Sequence, residues 1–177
     1  MSLSFIPVKT PADQELLARM AGEIWREYWP AHIGSAQTEY MIERFQSLEA
    51  ITRDMAEHDY EYWILVATEQ DEDGLEKSIV GFTGGHNEPE TNRFFISKIY
   101  LFADARGRGY ARRTIEFYED LCFARGLEAM YLTVNKGNDL AIRAYEGTGF
   151  KTIDAVVTDI GEGFVMDDYI MELRWDA

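Results

Sequence analysis

Basic residues are scarce in this chain, and cysteine, proline and long apolar runs are scarcer still. Against 32 acidic side chains stand 17 lysines and arginines, a net charge of −15 over 177 residues. A chain so acidic repels a phosphate backbone, which argues against nucleic acid as a partner. The single cysteine, Cys122, has no second thiol to bridge to and suits a reducing compartment. Four prolines and 46% apolar residues exclude a fibrous or disordered chain. No segment reaches the roughly 20 uncharged residues of a membrane span, and Lys9 and Thr10 interrupt the one early apolar run. The expectation is a cytoplasmic protein without membrane contact. His32, His58 and His86 lie far apart with no ligand spacing, so no metal is expected.

What is present is unevenly arranged. Residues 1–92 carry 6 basic and 18 acidic side chains; residues 93–177 carry 11 and 14. Acidity of this kind keeps a protein soluble. It would also draw a cationic substrate to one half while the arginines of the other hold an anion. The length favours one domain with a proper core.

Residues 3–8 read as a strand. Pro11, with Asp13 and Glu15 behind it, signals a helix start, and Leu16, Met20, Ile24 and Tyr28, with Leu17 beside, recur at helical spacing until Pro30. A second helix is expected from about Thr38, with Met41, Ile42, Phe45 and Leu48 on one face, and a third over about 48–58. The period then changes to strands at 62–67 and 78–84, separated by an acidic turn at 70–76. Gly84-Gly85 reads as a strand end, and residues 85–92 as a loop. A strand over 94–101 precedes a helix that buries Ala111, Ile115, Tyr118 and Cys122 and stops at Arg125-Gly126. A strand at 130–134, a helix capped by Asn138 and ending near Gly147, and strands at 150–158 and 165–174 around a turn at 160–163 complete a mixed α/β single domain.

The segment with most chemistry is Arg106-Gly107-Arg108-Gly109-Tyr110-Ala111, followed by Arg112 and Arg113, where a strand hands over to a helix. A Gly-rich turn opening a helix presents backbone N–H groups at the positive end of a macrodipole, which suits a pyrophosphate. A dinucleotide fingerprint would need glycine where Arg112 stands, and a Walker lysine is absent. Further on, Asn138, Ala141, Ile142 and Tyr145 share one helical face. An amide there can bond a peptide-like tail, and a phenol can protonate a departing thiolate. Trp25, Tyr28 and Trp29 could wall a cation pocket or simply pack. Cys122 lies on a core stripe and reads as structural.

Together Arg106-x-x-Gly109-x-Ala111, Leu132-x-Val134, Asn138, Ala141, Ala144-Tyr145-Glu146 and Gly149-Phe150 resemble the GNAT superfamily of N-acetyltransferases. More narrowly, Asp167-Asp168-Tyr169-Ile170-Met171 and the acidic N-terminal helices are similar to bacterial spermidine/spermine-type enzymes. The resemblance implies a mostly antiparallel central sheet flanked by helices, and acetyl-CoA as co-substrate. It implies backbone contacts from Ile99, Tyr100 and Leu101 to pantetheine and the acetyl carbonyl. The N–H groups of Arg106 to Arg112 would meet the pyrophosphate, Asn138 the pantetheine arm, and Tyr145 would be the general acid. Relatives often carry a glutamate base where this chain has Ser97, so the base lies elsewhere or is a water chain, with His86 and Glu88 as the candidate side chains. The implied partner is a small amine, a polyamine first, with an aminoglycoside-like amine or a peptide N-terminus as alternatives. A homodimer is one assembly open to it. A non-catalytic acyl-CoA sensor on the same fold is the reading from another class.

Overall fold

A computed structural model of the chain describes residues 2–71 and 74–175. Seven strands hydrogen-bond in the order β1-β2-β3-β4-β5-β7-β6. They are β1 Ser2–Pro7, β2 Glu61–Asp71, β3 Gly74–Glu88, β4 Arg93–Leu101, β5 Ala129–Asn135, β6 Lys151–Gly161 and β7 Phe164–Arg174. The helices are α1 Pro11–Tyr28, α2 Pro30–Ile33, α3 Ser35–Met41, α4 Leu48–Glu57, α5 Tyr110–Arg125 and α6 Asp139–Gly147. A π-helical turn, Ile42–Gln46, precedes α4, and a 3₁₀ turn, Ala103–Ala105, follows β4. Antiparallel pairs prevail; β4 and β5 are parallel, as a connection through a helix allows. Contacts divide the chain into two compact units, Met1–Gly85 with Lys98–Arg113, and His86–Ser97 with Thr114–Ala177.

In the first unit, α1 starts on a reciprocal cap. The Thr10 hydroxyl accepts the Asp13 N–H at 3.2 Å, and the Asp13 carboxylate accepts the Thr10 N–H at 2.8 Å. The buried stripe of α1 is Leu17, Met20, Ala21, Ile24 and Trp25; it keeps Leu17, Met20 and Ile24 of the expected line, while Leu16 and Tyr28 are only half-buried. With Ile51 of α4 it packs on Tyr62, Ile64 and Phe82. Leu65 and Ala67, facing the other way, pack with Val80, Ala105 and Tyr110. A strand covered on both faces explains the unbroken apolar run of 62–67.

Several boundaries differ from expectation, each for a local reason. Pro30 does not end the helical region but opens the short α2, because proline fits a first helical position. The second helix does not carry Leu48. Ser47 is extended at φ −69°, ψ 160°, its hydroxyl caps Ala50 N–H, and Leu48 begins α4 at 41% exposure. The acidic turn is shorter than 70–76, since Gln70 and Asp71 pair with Leu75 and Gly74; residues 72–73 lie outside the described residues. Gly84 does not mark a strand end. It pairs with Tyr62, and a Cβ there would meet the Tyr62 ring at 2.5 Å. Strand β3 therefore continues to Glu88, through what reads as a loop.

The second unit is built on β5, whose Met130, Leu132 and Val134 are buried, with Met171 of β7 and Phe150. Phe94 packs on Tyr118 of α5 at 5.1 Å, and Phe95 stacks on Tyr131 at 4.8 Å. Within α5 the buried residues are Tyr110, Thr114, Ile115, Tyr118 and Cys122, while Ala111 is only half-buried. Burial pushes the Cys122 thiol up to about 12, as fits an inert core residue. The hairpin β6–β7 closes on Glu162 and Gly163, both at positive φ (54° and 79°), the signature of a type I′ turn.

Asp168 is the buried carboxylate of β7, opposite Asn135 and Val156. Burial first, and the neighbouring Asp167 second, push its carboxyl up to about 6, against a partial pull from Lys136. The folded chain thus binds this proton more tightly than the unfolded chain between about pH 3.8 and 6. Asp168 costs nothing below that window, and its full cost is present above it. Asp168→Asn should therefore stabilise the protein at pH 7.5 by on the order of 2 kcal/mol, with the gain gone near pH 4. Urea unfolding of both proteins at the two pH values checks this; equal stability at pH 7.5 would contradict it.

Candidate active site

The C-terminal half of β4 is held by an unusually close neighbour. A Cβ added to Gly81 of β3 would collide with the Tyr100 carbonyl oxygen and lie 3.0 Å from Leu101 Cα. Only glycine permits that approach. Two bonds fix the register beside it: the Thr83 hydroxyl donates to the Lys98 carbonyl at 2.6 Å, and Phe102 N–H donates to the Val80 carbonyl at 3.1 Å. Ile99, Tyr100 and Leu101 are half-buried. The Tyr100 ring meets Trp25 edge-on at 5.5 Å and Phe82 at 5.4 Å.

The turn that follows has its glycines where the backbone needs them. Gly107 and Gly109 sit at φ 75° and 82°, and a Cβ at either would meet nothing within 4 Å. These are conformational glycines, not close-contact ones. Helix α5 then closes its first bond from Arg113 N–H to the Gly109 carbonyl, so the N–H groups of Tyr110, Ala111 and Arg112 belong to the outward-pointing first turn.

The arginine side chains of the turn are less available than the sequence suggests. Arg106 Nε donates to the Leu101 carbonyl at 3.1 Å, its guanidinium lies 4.9 Å from the Tyr28 ring centre, and it pairs with Glu27 at 3.5 Å. Glu27 also accepts the Ala103 N–H at 3.3 Å. Arg108 pairs with Glu69, which the Tyr110 hydroxyl also approaches at 3.4 Å. Attraction for an anion thus comes from backbone N–H groups and the helix end more than from these two guanidiniums. Glu27, Glu69, Gly81 and Thr83 escape a sequence reading, because each acts through a partner far along the chain.

Trp25, Tyr28 and Trp29 come together with His32 in one aromatic cluster: Trp25–Trp29 5.2 Å, Tyr28–Trp29 5.1 Å, Tyr28–His32 4.5 Å. Trp25 is 3% exposed. With Arg106 over Tyr28, that ring already carries a cation. The indole N–H groups of Trp25 and Trp29 are buried with no hydrogen-bond partner.

In the second unit, Asn138 is the N-cap of α6: its Oδ1 accepts the Ala141 N–H at 3.2 Å. Asn138, Ala141, Ile142 and Tyr145 are all half-buried, forming the inner face of a helix with no buried residue. Tyr145 packs on Phe150 at 5.8 Å, and its carbonyl accepts the N–H groups of Thr148 and Phe150. His86 has Nδ1 3.0 Å from the Asn87 carbonyl and its ring against Phe95 at 5.4 Å. Glu88 accepts from Tyr131, from Thr91 at 2.9 Å and from Arg93 at 3.4 Å. Burial works to raise its pKa, but these donors outweigh it and hold the carboxyl below its ordinary value. Glu88 is a structural hub and a poor base.

Lys98 is a residue the sequence reading passed over, although it stands alone on the apolar line Phe94, Ile96, Tyr100. It is buried, and Nζ donates to the Phe45 carbonyl at 3.0 Å and to Tyr62 Oη at 2.8 Å. Burial pushes its ammonium down to about 8, with Asp54 pulling the other way. Among the described residues no group of side chains could hold a metal ion, and no helix is long and apolar enough to cross a membrane.

The profile of the acetyltransferase (GNAT) family matches residues 21–150. The chain belongs to that family. It is 34% identical over 85 residues to the uncharacterized N-acetyltransferase YycN of Bacillus subtilis, a match over 47% of this chain and 54% of that protein. The chain thus spans about half the length of that relative. The crystal structure of PaiA N-acetyltransferase from Thermoplasma acidophilum, in complex with coenzyme A, superposes with a TM-score of 0.75 at 21% identity, over 99% of this chain and 100% of that one. The dodecameric spermidine N-acetyltransferase of Vibrio cholerae superposes at 0.63 and 16% identity, over 97% and 93%. At these identities the two structures speak for the fold.

Gly81→Ala tests the close approach at β4. Its Cβ forces the two backbones apart, so stability should fall by about 1–3 kcal/mol. Denaturant titration reads this, and an unchanged midpoint would mean that β3 and β4 separate freely.

Proposed function

We propose that this protein is an acetyl-CoA-dependent N-acetyltransferase, acting as one catalytic domain on a small amine. The observation that carries the reading is the Arg106–Arg112 turn, with two positive-φ glycines opening α5 inside the segment matched by the family. The N–H groups of this turn take the pyrophosphate. Ile99, Tyr100 and Leu101 offer backbone groups to pantetheine and the acetyl carbonyl. On α6, Asn138 and Ala141 meet the pantetheine arm. The amine attacks the thioester carbonyl, the tetrahedral oxyanion collapses, and Tyr145 protonates the leaving thiolate. His86 is the fittest proton acceptor near β4. Ser97 is not basic, and Glu88 is committed to Tyr131, Thr91 and Arg93.

Polyamines remain the first acceptor class, in keeping with the spermidine enzyme that shares the fold and with the acidic first half. The second acceptor class is an aminoglycoside-like amine, which carries hydroxyls beside its amino groups.

Thiol release from acetyl-CoA, measured with spermidine, a monoamine of equal length and a hydroxylated aminosugar, tests the function. Turnover with at least one is expected, and Tyr145→Phe should lower kcat on the order of 10²-fold with little change in KM for acetyl-CoA. Silence with every amine, alongside tight acetyl-CoA binding, would favour an acyl-CoA sensor. Gly109→Val, strained at φ 82° and bulky beside the phosphate path, should weaken acetyl-CoA binding at least tenfold, about 1.4 kcal/mol, by calorimetry. Equal affinity in a folded variant would remove the turn from the site.

A further inference from the structure

On the surface of the first unit, α3, the π-helical turn and α4 enclose an open cleft of about 590 Å³ lined by Tyr40, Glu43, Arg44, Phe45, Arg53 and His58. Its volume is in the range of small-molecule sites, about 300–1,000 Å³. Its chemistry runs against the half of the chain that contains it. Residues 1–92 hold only 6 lysines and arginines, and two of them, with one of the three histidines, line this cleft. Arg44 lies 5.8 Å from the Tyr40 ring centre and 5.5 Å from that of Phe45, and donates to Tyr40 Oη at 2.6 Å. Arg53 and His58 both approach Asp54, at 3.6 and 3.3 Å. Asp54 is outside the lining and only 15% exposed, so it orients the two from behind.

We propose that this cleft binds a small planar carboxylate, and that occupation is transmitted to β4 through the Phe45–Lys98 bond. Guanidinium forks match a carboxylate, and the Tyr40 and Phe45 rings offer flat apolar faces for the rest of the molecule. Glu43 in the lining disfavours polyanions, and the two arginines disfavour polyamines, so the ligand differs from the proposed acceptor. The transmission is geometric. Phe45 is one of the lining residues and its carbonyl holds Lys98 Nζ, and Lys98 is the residue next to Ile99. The linking element is a π-turn, a local form that helices adopt mostly at functional positions. Gln46, the last residue of that turn, has a buried side-chain oxygen without a partner, so the turn is not held at every polar atom.

The inference goes beyond the proposed activity and does not depend on it. Calorimetry on the full chain without acetyl-CoA, titrated with benzoate, benzamide, acetate and spermidine, reads the site directly. Saturable one-to-one benzoate binding is expected, with the other three at least tenfold weaker, and with Arg44→Gln and Arg53→Gln each weakening benzoate tenfold or more. No saturable benzoate binding, or binding untouched by both substitutions, would overturn the site. For the transmission, benzoate should shift the backbone amide resonances of residues 98–101 in the wild type. Lys98→Met should keep the binding and lose those shifts; shifts that persist would overturn the link. Tyr62→Phe, which removes one of the two bonds fixing Lys98 Nζ, gives the same readout by weakening the shifts if Lys98→Met does not fold. An inactive acetyltransferase that binds benzoate as described would refute the proposed function and leave this inference standing.

Discussion

The absence of a side chain at Gly81 is the constraint on which the first unit turns. With the Tyr100 carbonyl so near, β3 and β4 approach more closely than any Cβ allows. That closeness sets the Thr83 hydroxyl on the Lys98 carbonyl and directs the Lys98 side chain toward Phe45 and Tyr62. It also places the Tyr100 ring against Trp25, joining β4 to the end of α1. From that end Glu27 reaches forward to hold Ala103 and Arg106, so the turn is anchored before it begins to coil into α5. A missing methyl is thus linked, through Tyr100, Trp25 and Glu27, to a loop more than twenty residues along the chain.

The arginines of the turn and of α1 are met by local carboxylates: Arg26 faces Glu39, Arg106 faces Glu27 and Arg108 faces Glu69. Two of these pairs join a carboxylate of the acidic half to an arginine of the turn, while the net charge of −15, which already counts them, sets the field that a distant ligand meets. Such half-exposed pairs contribute little to stability. Their effect is to neutralise two guanidiniums of the turn, so in the proposed reading the pyrophosphate is left to backbone N–H groups whose positions the two glycines set.

Elements with a local chemical cause were legible in the sequence. Thr10-Pro11 with Asp13 marks the start of α1, Asn138 caps α6, and Gly126 follows α5 at φ 67°. The turn at 106–111 lies at the strand-to-helix junction where the residues put it. What stayed hidden depends on partners distant in sequence. Gly84 reads as punctuation until Tyr62 is seen across the ladder, and Gly81 until Tyr100 is. The π-turn replaces a plain helix because Ser47 caps α4 one residue before Leu48, so the chain fits an extra residue into the turn before it. Between a pocket wall and simple packing, the sequence left Tyr28 open; the Arg106 guanidinium, distant in sequence, lies over its ring. Lys98 alone was open to detection, as a lysine on an otherwise apolar strand face.

The proton remains the hardest demand on such a site. An alkylamine with a pKa near 10.4 is neutral in only about one molecule in 10³ at pH 7, which is roughly 4–5 kcal/mol uphill. Carboxylates that gather an ammonium also hold its proton, so capture and activation pull in opposite directions. This chain separates the two physically. Glu88 is spent on Tyr131, Thr91 and Arg93, and lies below its ordinary pKa, so it can neither take the proton nor stabilise it strongly. Ser97 is not basic. Proton loss from the ammonium to any acceptor that is itself neutral near pH 7 stays uphill. The remaining pull must come from the acyl transfer itself, as the thiolate leaves and is protonated. In the proposed reaction a donor at the leaving sulfur, the role given to Tyr145, works alongside the group that takes the ammonium proton and does not replace it.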